Sequence, residues 1–315
     1  MLKRLQYIFL SVIVFTLINI VPHIIVRIFA DANAVRVFET SAVPEDFKGT
    51  IKIATYNIAH GRGGKYGSEN WTDESVADRE SRLVSIANFL KENDVDVVAL
   101  NEVDFDASWS YNLNQSEFIA RHANFPFRVE QRNFDFYHPF FRLQFGNAVL
   151  SKYPISAVSF LEFSPLSKLE KLVFGNHDGV VVSLRLSEDR EISVAGLHLE
   201  VRDSSSRLSA YGILEDLIAN ENFPTILAGD LNSEMHDSGE GGSVIDRLSK
   251  IEGIEYFPDT AVTDKYYTFP SEKPSRTLDW ILVPPNVGIV GGEVPDVSWS
   301  DHLPVIVEIK MYRPR

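Results

Sequence analysis

The residues of this chain that could do chemistry lie at the ends of apolar, strand-like runs. Near the C-terminus Asp301-His302 precedes the run 305–307, and Asp230 and Asn232 follow the run 226–228. Polar groups at the end of a buried strand are held by a rigid scaffold, as catalysis requires. Asp, Asn and His are also side chains that bind hard metal ions and transfer protons. These clusters therefore indicate an enzyme.

Other polar groups end or interrupt apolar runs in the same way. Asn57 lies at the end of the run 51–58 before a glycine-rich stretch, Glu102 closely follows the run 95–100, and His198 ends the run 192–199. Asp279 lies inside the run 278–283, where an unpaired carboxylate would be costly, so it needs a partner. Singly, each also has a purely structural interpretation, such as a turn residue at Asn57 or a hydrogen-bonded structural histidine at His198.

The elements that would position these residues alternate between strands and helices. Helical periodicity covers 74–92 and 205–220. Strand-like runs occupy 51–58, 95–100, 146–150, 155–160, 179–186, 192–199, 225–228, 278–283 and 304–309. Strands occur in pairs as well as in strand–helix–strand units, which favours an α/β (α+β) domain with two packed sheets covered by helices. We assign that domain to residues 50–315, after a linker at 31–49.

Residues 1–30 form an apolar N-terminal segment. Lys3 and Arg4 precede 22 residues, 5–26, that carry no formal charge. A membrane-spanning helix needs about 20 residues, whereas the core of a cleaved signal peptide needs about 7–15. We therefore expect a single-pass anchor in the cell membrane with the domain outside the cytoplasm. The alternative is a cleaved signal and a secreted protein, because residues 30–32 and 32–34 both fit a small-residue cleavage pattern.

Composition excludes several kinds of site. The chain has no cysteine, which excludes disulfides, thiolate catalysis and cysteine-bound zinc. Its net charge of −14 disfavours long nucleic acid as a partner, because proteins that bind long nucleic acid usually present a basic face. A small or headgroup-like substrate suits this charge better.

Seven short segments, in order along the chain, resemble motifs of the endonuclease/exonuclease/phosphatase superfamily, the metal-dependent phosphoesterases with the deoxyribonuclease I-like fold. They are 54–58 (ATYNI), 98–103 (VALNEV), 146–151 (GNAVLS), 196–199 (GLHL), 227–232 (LAGDLN), 278–281 (LDWI) and 300–304 (SDHLP). The departures are small: Asn101 stands where the family usually has Gln, and Leu231 where it often has Phe. The resemblance implies a four-layer α/β/β/α sandwich of two packed mixed sheets, here with an N-terminal membrane helix.

The resemblance also implies hydrolysis of a phosphoester by in-line attack of water, assisted by Mg²⁺ or Mn²⁺. A divalent cation would offset the anionic charge that makes a phosphoester resist attack. Glu102 would be the principal metal ligand, with Asn57 and Asp301 completing the metal site. His302 would act as the base, and Asp279 would orient it and thereby gain its partner. The remaining roles would fall to Asp230, Asn232 and His198 in catalysis and to Asn147 in substrate binding.

The substrate is a separate question. Our leading hypothesis is a monomeric, membrane-anchored phosphodiesterase that acts on a lipid headgroup or small phosphodiester outside the cytoplasm. An extracytoplasmic nuclease is the alternative, with nucleic acid a disfavoured partner. A non-catalytic binding module is the second alternative, although every polar position expected of the site is occupied. The aromatic stretch 134–145 near Arg132 and Arg142 indicates core packing, or a lip that contacts lipid or a base.

Overall fold

In the computed structural model, two β-sheets pack face to face and each carries helices on its outer side. The structure describes residues 2–29, 35–40, 45–65, 67, 69–138, 140–173, 175–219, 224–236, 243–259 and 266–312. The helices are α1 (Leu2–Asn19), α2 (Val21–Phe29), α3 (Val76–Glu92), α4 (Gln115–Ala123), α5 (Lys168–Val173), α6 (Ser204–Ser209), α7 (Tyr211–Ile218) and α8 (Val244–Leu248). The strands are β1 (Val35–Glu39), β2 (Thr50–Asn57), β3 (Val97–Ala107), β4 (Phe127–His138), β5 (Phe141–Ser151), β6 (Ile155–Leu161), β7 (Gly179–Ser187), β8 (Arg190–His198), β9 (Thr225–Asp230), β10 (Glu255–Phe257), β11 (Asp279–Val283), β12 (Val287–Glu293) and β13 (Val305–Met311).

Both sheets are mixed. The first has the strand order β1-β4-β5-β3-β2-β13-β12, and the second has the order β10-β11-β9-β8-β7-β6. Strands β2 and β3 are parallel in the first sheet, and β8 and β9 are parallel in the second. The other strand neighbours are antiparallel. Each sheet therefore has one parallel pair whose carboxyl ends lie at the same edge.

Three apolar clusters hold the layers together. The cluster between the sheets includes Ile53 and Val149 from the first sheet and Val194 and Ile281 from the second. On the outer face of the first sheet, helices α3 and α4 contribute Leu83, Ile86, Leu90 and Ile119. On the outer face of the second, α7 and α8 contribute Leu214, Ile218, Ile245 and Leu248. This arrangement confirms the four-layer α/β/β/α sandwich.

Helix α3 shows how local sequence fixes an element that covers the site. Ser75 caps its first turn, because the Ser75 side chain accepts from the amide of Asp78 and the Asp78 side chain accepts from the amide of Ser75. Leu83, Ile86 and Leu90 are fully buried and recur at helical spacing. The helix lies within two residues of the range 74–92 predicted from periodicity.

Several predicted boundaries were wrong. Residues 35–39 lie in the stretch assigned to a linker, but they form β1 and pair with β4. Strand β4 was missed because its sequence is largely polar; its polar side chains are nevertheless buried, for example Gln131, which accepts a hydrogen bond from Asn147. The second predicted helix, 205–220, is divided into α6 and α7 at Ala210.

The N-terminal segment is helical. Helices α1 and α2 contain an apolar span, Lys3–Ile25, of 23 residues. An 18-residue window within it has a mean hydropathy of 2.4, and only 6% of that window is buried. Its length and composition are sufficient to cross a membrane. The candidate cleavage patterns at 30–34 lie outside the described residues.

Candidate active site

The two parallel strand pairs bring four of the predicted polar clusters to one edge of the sandwich. In the first sheet Asn57 lies opposite Asn101, so that Glu102 comes directly after the paired region. In the second sheet His198 lies opposite Asp230, with His198 Nε2 at 3.7 Å from Asp230 Oδ2. Side chains that are distant in sequence therefore meet because carboxyl ends of parallel strands share an edge.

Gly229 makes the close approach of β8 and β9 possible. A Cβ atom at this position would lie 1.9 Å from the carbonyl oxygen of Leu197, which no side chain can tolerate. The register that sets His198 beside Asp230 therefore depends on a glycine immediately before the aspartate.

Strand β11 adds the third acidic group. Asp279 pairs with Asp230 across the antiparallel β9–β11 ladder. His302, just before β13, lies with Nδ1 at 2.8 Å from Asp279 Oδ2 and Nε2 at 3.7 Å from Asp230 Oδ2. All three side chains are buried. Asp279 thus has the histidine partner that its place in an apolar run requires.

A point between Glu102 and Asp230 suits a divalent cation. Asn57 Nδ2 lies 3.2 Å from Glu102 Oε1 and 3.1 Å from Asp230 Oδ2, so two carboxylates converge on one side-chain amide. Carboxylate and amide oxygens are ligands that Mg²⁺ prefers, and Mg²⁺ needs few of them because it retains water. Ligand atoms of Asp230, Asp279 and His302 also lie within 4.8 Å of one another. The short hydrogen bond between His302 and Asp279, however, indicates an ion pair and not a metal site. The residues therefore fit a metal best at the carboxylates of Glu102 and Asp230. Asn57 turns its amide nitrogen towards them, and its Oδ1 accepts from the amide of Ala59 at 3.0 Å, so the metal-ligand role predicted for Asn57 is not what this geometry supports.

Charges at this edge shift the protonation of its members. Burial alone would raise the pKa of Glu102, but the neighbouring cations, His60 foremost, outweigh it and lower that pKa to about 2. Burial alone would lower the pKa of His302, but Asp279 and Asp230 raise it to about 10. Burial raises the pKa of Asp279, against the opposing charge of His302. Before any cation binds, therefore, His302 holds a proton at neutral pH and Glu102 is ionised.

Asp301 does not join the Glu102–Asp230 centre directly. Its Oδ2 accepts a hydrogen bond from the Arg62 guanidinium at 2.9 Å, and its side chain is nearly buried. Arg62 in turn donates to Asn70. The structure thus gives Asp301 an ion-pair partner, and the predicted metal-ligand role would compete with this pair.

Asn147 lies behind the site. It is fully buried, its Nδ2 donates to Gln131 and to the carbonyl of Asp178, and its Oδ1 accepts from Asn101. Because both ends of its amide are used within the protein, the predicted contact with phosphate is not what this geometry supports. Asn147 instead positions the strand that carries Glu102.

Asn232 lies beside the centre and is fixed by the backbone. Its Nδ2 donates to the carbonyl of Leu199 at 3.0 Å, and its amide N–H donates to Asp230 Oδ1 at 2.9 Å. Its φ of 47° lies in the left-handed region, which Asn tolerates better than most residues. The loop after β9 therefore holds Asp230 and Asn232 as one unit.

A comparison of the sequence with models of protein families agrees with this group of acidic, amide and imidazole side chains. The model of the Endonuclease/Exonuclease/phosphatase family matches residues 54–302. The chain belongs to this family. Its members hydrolyse phosphoester bonds in a metal-dependent way. No curated protein matches the chain by sequence.

Solved structures of the Endonuclease/Exonuclease/phosphatase family share the fold. A family member from Beutenbergia cavernae is 20% identical with a TM-score of 0.65, and the match covers 84% of this chain and 72% of that one. A mannosyl-6-phosphatase from Bacteroides thetaiotaomicron is 14% identical with a TM-score of 0.57, over 82% and 99%. D. rerio TDP2, complexed with a single-strand DNA product, is 12% identical with a TM-score of 0.54, over 83% and 99%. At these identities the likeness shows the fold alone.

A second histidine–aspartate pair flanks the family site and was missed from the sequence. His60 Nδ1 lies 2.7 Å from Asp104 Oδ1, and His60 Nε2 lies 3.4 Å from Glu102 Oε2. Trp109 donates to the other oxygen of Asp104 at 2.8 Å. His60 has a φ of 54° in the turn after β2, so it reaches Glu102 from a strained backbone. Two features of the sequence could have indicated this pair: His60 stands next to Gly61, and Asp104 stands two residues after Glu102.

A cavity of about 250 Å³ opens beside the family site. Glu102, His60 and His198 line one side, and Phe134 and Phe145, stacked at 4.8 Å, line another. Burial lowers the pKa of His177 to about 4, so this lining residue is neutral at pH 7. The remaining polar lining includes Asn133, Glu170, Asn176 and Arg202. The cavity can therefore hold a small group beside Glu102.

Proposed function

We propose that this protein is a Mg²⁺- or Mn²⁺-dependent phosphodiesterase that acts, as a membrane-anchored monomer, on a lipid headgroup or small phosphodiester outside the cytoplasm. The observation that carries this proposal is the convergence of Glu102 and Asp230 on Asn57 beside His198 and His302. These groups lie at one edge of a family fold whose members hydrolyse phosphoesters. Membership of the family supports the reaction class, and the cavity and the N-terminal helix support the substrate class.

The residues divide the chemistry among them. Glu102 and Asp230 would hold the divalent cation, which when bound offsets the charge of the phosphate oxygens and of the leaving oxygen. Asn57 would orient these two carboxylates, because its amide nitrogen donates to both. His198, with Nε2 facing Asp230, is placed to donate to a phosphate oxygen. Asn232 would orient the phosphate or the attacking water.

His302 would transfer the proton of the attacking water. The bond to Asp279 leaves Nε2 as the nitrogen that faces the site. Since the raised pKa keeps a proton on His302 in the free protein, the base form requires that this proton leave before water attacks. Asp279 then stabilises the imidazolium that forms as water is deprotonated.

The size and lining of the cavity favour a small substituent. A volume of about 250 Å³ is below the range of roughly 300–1,000 Å³ that is common for sites of drug-sized ligands. The paired rings Phe134 and Phe145 and the polar groups Asn176 and Arg202 suit a compact headgroup with hydroxyl or charged groups. The fold-level likeness to a mannosyl-6-phosphatase agrees with a compact phosphorylated substrate.

An extracytoplasmic nuclease is the second candidate function. The fold-level likeness to TDP2 with its DNA product favours it. The net charge of −14 opposes it, because each phosphate of a long nucleic acid would have to approach a chain of like overall charge.

A substrate panel tests the proposal. The full-length protein in lipid nanodiscs is stripped of metal with EDTA and supplied with Mg²⁺ or Mn²⁺. It is then assayed on bis(p-nitrophenyl) phosphate, p-nitrophenyl phosphate, phospholipid vesicles, single-stranded DNA and plasmid DNA. We expect metal-restored release from the diester and from lipid and little cleavage of DNA. Faster cleavage of DNA than of the small diester would establish the nuclease, and binding without turnover would establish a binding module. Asp230→Ala supplies the control for contaminating enzymes.

A further inference from the structure

The apolar N-terminal helices are hydrogen-bonded to a wall of the catalytic cavity. His23, inside the apolar span, is buried, although most of the span is exposed. Its Nε2 donates to the carbonyl of Val173 at 2.6 Å, and its Nδ1 accepts from the amide of Tyr137 at 3.1 Å. His138 Nε2 donates to Asn19 Oδ1 at 2.6 Å. Three hydrogen bonds therefore join the span to the end of α5 and to the β4–β5 hairpin.

The tip of this hairpin presents apolar rings to solvent. Phe140 is 82% exposed, the largest exposed fraction among the large hydrophobic side chains of the described residues. Phe141 stacks on Phe136 at 5.7 Å and contacts Trp71, which is 57% exposed, at 6.5 Å. Phe136 also packs on the His23 ring at 4.4 Å. The exposed rings are thus continuous with the residue that joins the hairpin to the apolar span.

The position of the hydrogen bonds sets the depth of the tip. Asn19 lies six residues before Ile25, the end of the span that is nearer to the domain. If the span crosses a membrane, the hairpin tip bonded to Asn19 lies close to the bilayer surface on the side of the domain. Aromatic side chains are enriched at this level because their rings suit the boundary between water and hydrocarbon.

The charge of the hairpin tip also suits a membrane surface. Residues 136–143 contain no Asp or Glu, in a chain with 44 acidic residues. Their one formal charge is Arg142, which is 55% exposed on its side chain and ion-paired with Asp106. A segment without acidic groups can approach anionic headgroups that would repel the rest of this acidic chain.

The hairpin and α5 lead from this surface to the catalytic cavity. Phe145, on β5, lines the cavity and packs on His60 at 4.8 Å. Helix α5 carries Glu170, and Asn176 and His177 follow shortly after its end; all three line the same cavity. The elements bonded to the span therefore also form cavity walls.

From this geometry we infer that Phe140 and Phe141 insert into the headgroup region of the membrane that the N-terminal helix spans, so that the cavity takes its phosphoester from that bilayer surface. The inference rests on the proposed membrane span and on the proposed phosphoesterase function.

The absence of cysteine allows each premise to be tested separately. Phe140→Cys, Val290→Cys on the edge strand β12 and Leu10→Cys on α1 each place a single thiol at an exposed position. Each full-length variant, labelled with an environment-sensitive fluorophore, is reconstituted in phosphatidylcholine–phosphatidylglycerol nanodiscs. We expect blue-shifted emission and quenching by brominated lipid at positions 10 and 140, and neither at position 290. Shielding at position 10 together with exposure at position 140 would overturn the inference while leaving the anchor in place. Exposure at both would overturn the anchor and the inference together.

An activity measurement separates docking from catalysis. Phe140→Asp should lower hydrolysis of bilayer-presented substrate roughly fivefold relative to Val290→Asp, because a charge near the membrane interface is mildly unfavourable. Hydrolysis of bis(p-nitrophenyl) phosphate should be unchanged in both variants. Equal loss on both substrates would contradict a docking role. A protein without any phosphoesterase activity would defeat the proposed function, yet the fluorescence result would still decide whether the tip enters the bilayer.

Discussion

His302 Nδ1 lies 2.8 Å from Asp279 Oδ2, and this hydrogen bond joins the loop before β13 to the start of β11. Asp279 is fully buried, so its charge depends on the imidazole for compensation. The bond fixes which imidazole nitrogen faces Asp230 and the rest of the site. The pair therefore links a strand of the second sheet to the loop that carries the proposed base.

Replacing Asp279 with Asn should disable proton transfer while keeping the size and shape of the side chain. We expect kcat for the small diester to fall roughly 10²–10⁴-fold, and a similar loss for His302→Ala, because the imidazole loses its orientation or is absent. Circular dichroism and thermal unfolding establish that each variant is folded. A folded Asp279→Asn protein with wild-type kcat would exclude the pair from the mechanism.

The protonation of His302 can be measured in the metal-free protein. Its pKa should lie near 10, because Asp279 and Asp230 outweigh the effect of burial, so that the imidazolium persists well above pH 7. Since this pKa exceeds the ordinary value of 6.5, its stabilising contribution is complete below about pH 6.5 and is lost as the pH rises towards 10. Histidine NMR in EDTA follows the titration, with His302→Ala providing the assignment. Titration of His302 below pH 7 would contradict this electrostatic account.

Glu102 should contribute directly to metal affinity. Glu102→Gln removes one of the two charges that converge on Asn57, so we expect at least tenfold weaker binding of Mn²⁺, a loss typical of altered metal sites. Isothermal titration calorimetry measures this without substrate. Glu188→Gln, at an exposed position, is the matched control and should bind as wild type does. Equal affinities of the three proteins would remove Glu102 from the ligand set.

Asn147 should be a structural residue. Asn147→Ala leaves partners such as the Asn101 amide and the carbonyl of Asp178 short of a hydrogen bond, so the free energy of unfolding should fall by about 1–3 kcal/mol. Urea denaturation measures the change, and KM of the folded variant should stay close to that of wild type. A large rise in KM with unchanged stability would restore the phosphate contact expected from the sequence.

Much of the fold was predictable because its core strands are continuous apolar runs. The runs around Ile53, Val98, Val194 and Ile281 were identified from the sequence, and they form the sheet centres. Strands β1, β4, β10 and β12 were not identified. Of these, β1 is short and half exposed, and β4 pairs buried polar residues across the ladder. Cross-strand satisfaction of polar groups is invisible to a pattern of apolar residues.

The sequence predicted which residues belong to the candidate site better than it predicted the contacts between them. Polar residues at strand ends identified Glu102, Asp230 and His302, because strand ends share an edge. Sequence alone did not reveal that Asp301 pairs with Arg62 or that His60 reaches Glu102, because both contacts depend on the turn after β2. Contacts between loop residues can be identified only from the three-dimensional structure, whereas residues at strand ends can be located from the order of the strands.

We propose that Glu102 and Asp230 share one divalent cation at the phosphoester site. Anomalous diffraction from crystals of the protein soaked in Mn²⁺ tests it most directly. We predict a single dominant anomalous peak between these two carboxylates, lost in crystals of Glu102→Gln. A peak elsewhere, or none at saturating Mn²⁺, would contradict the account.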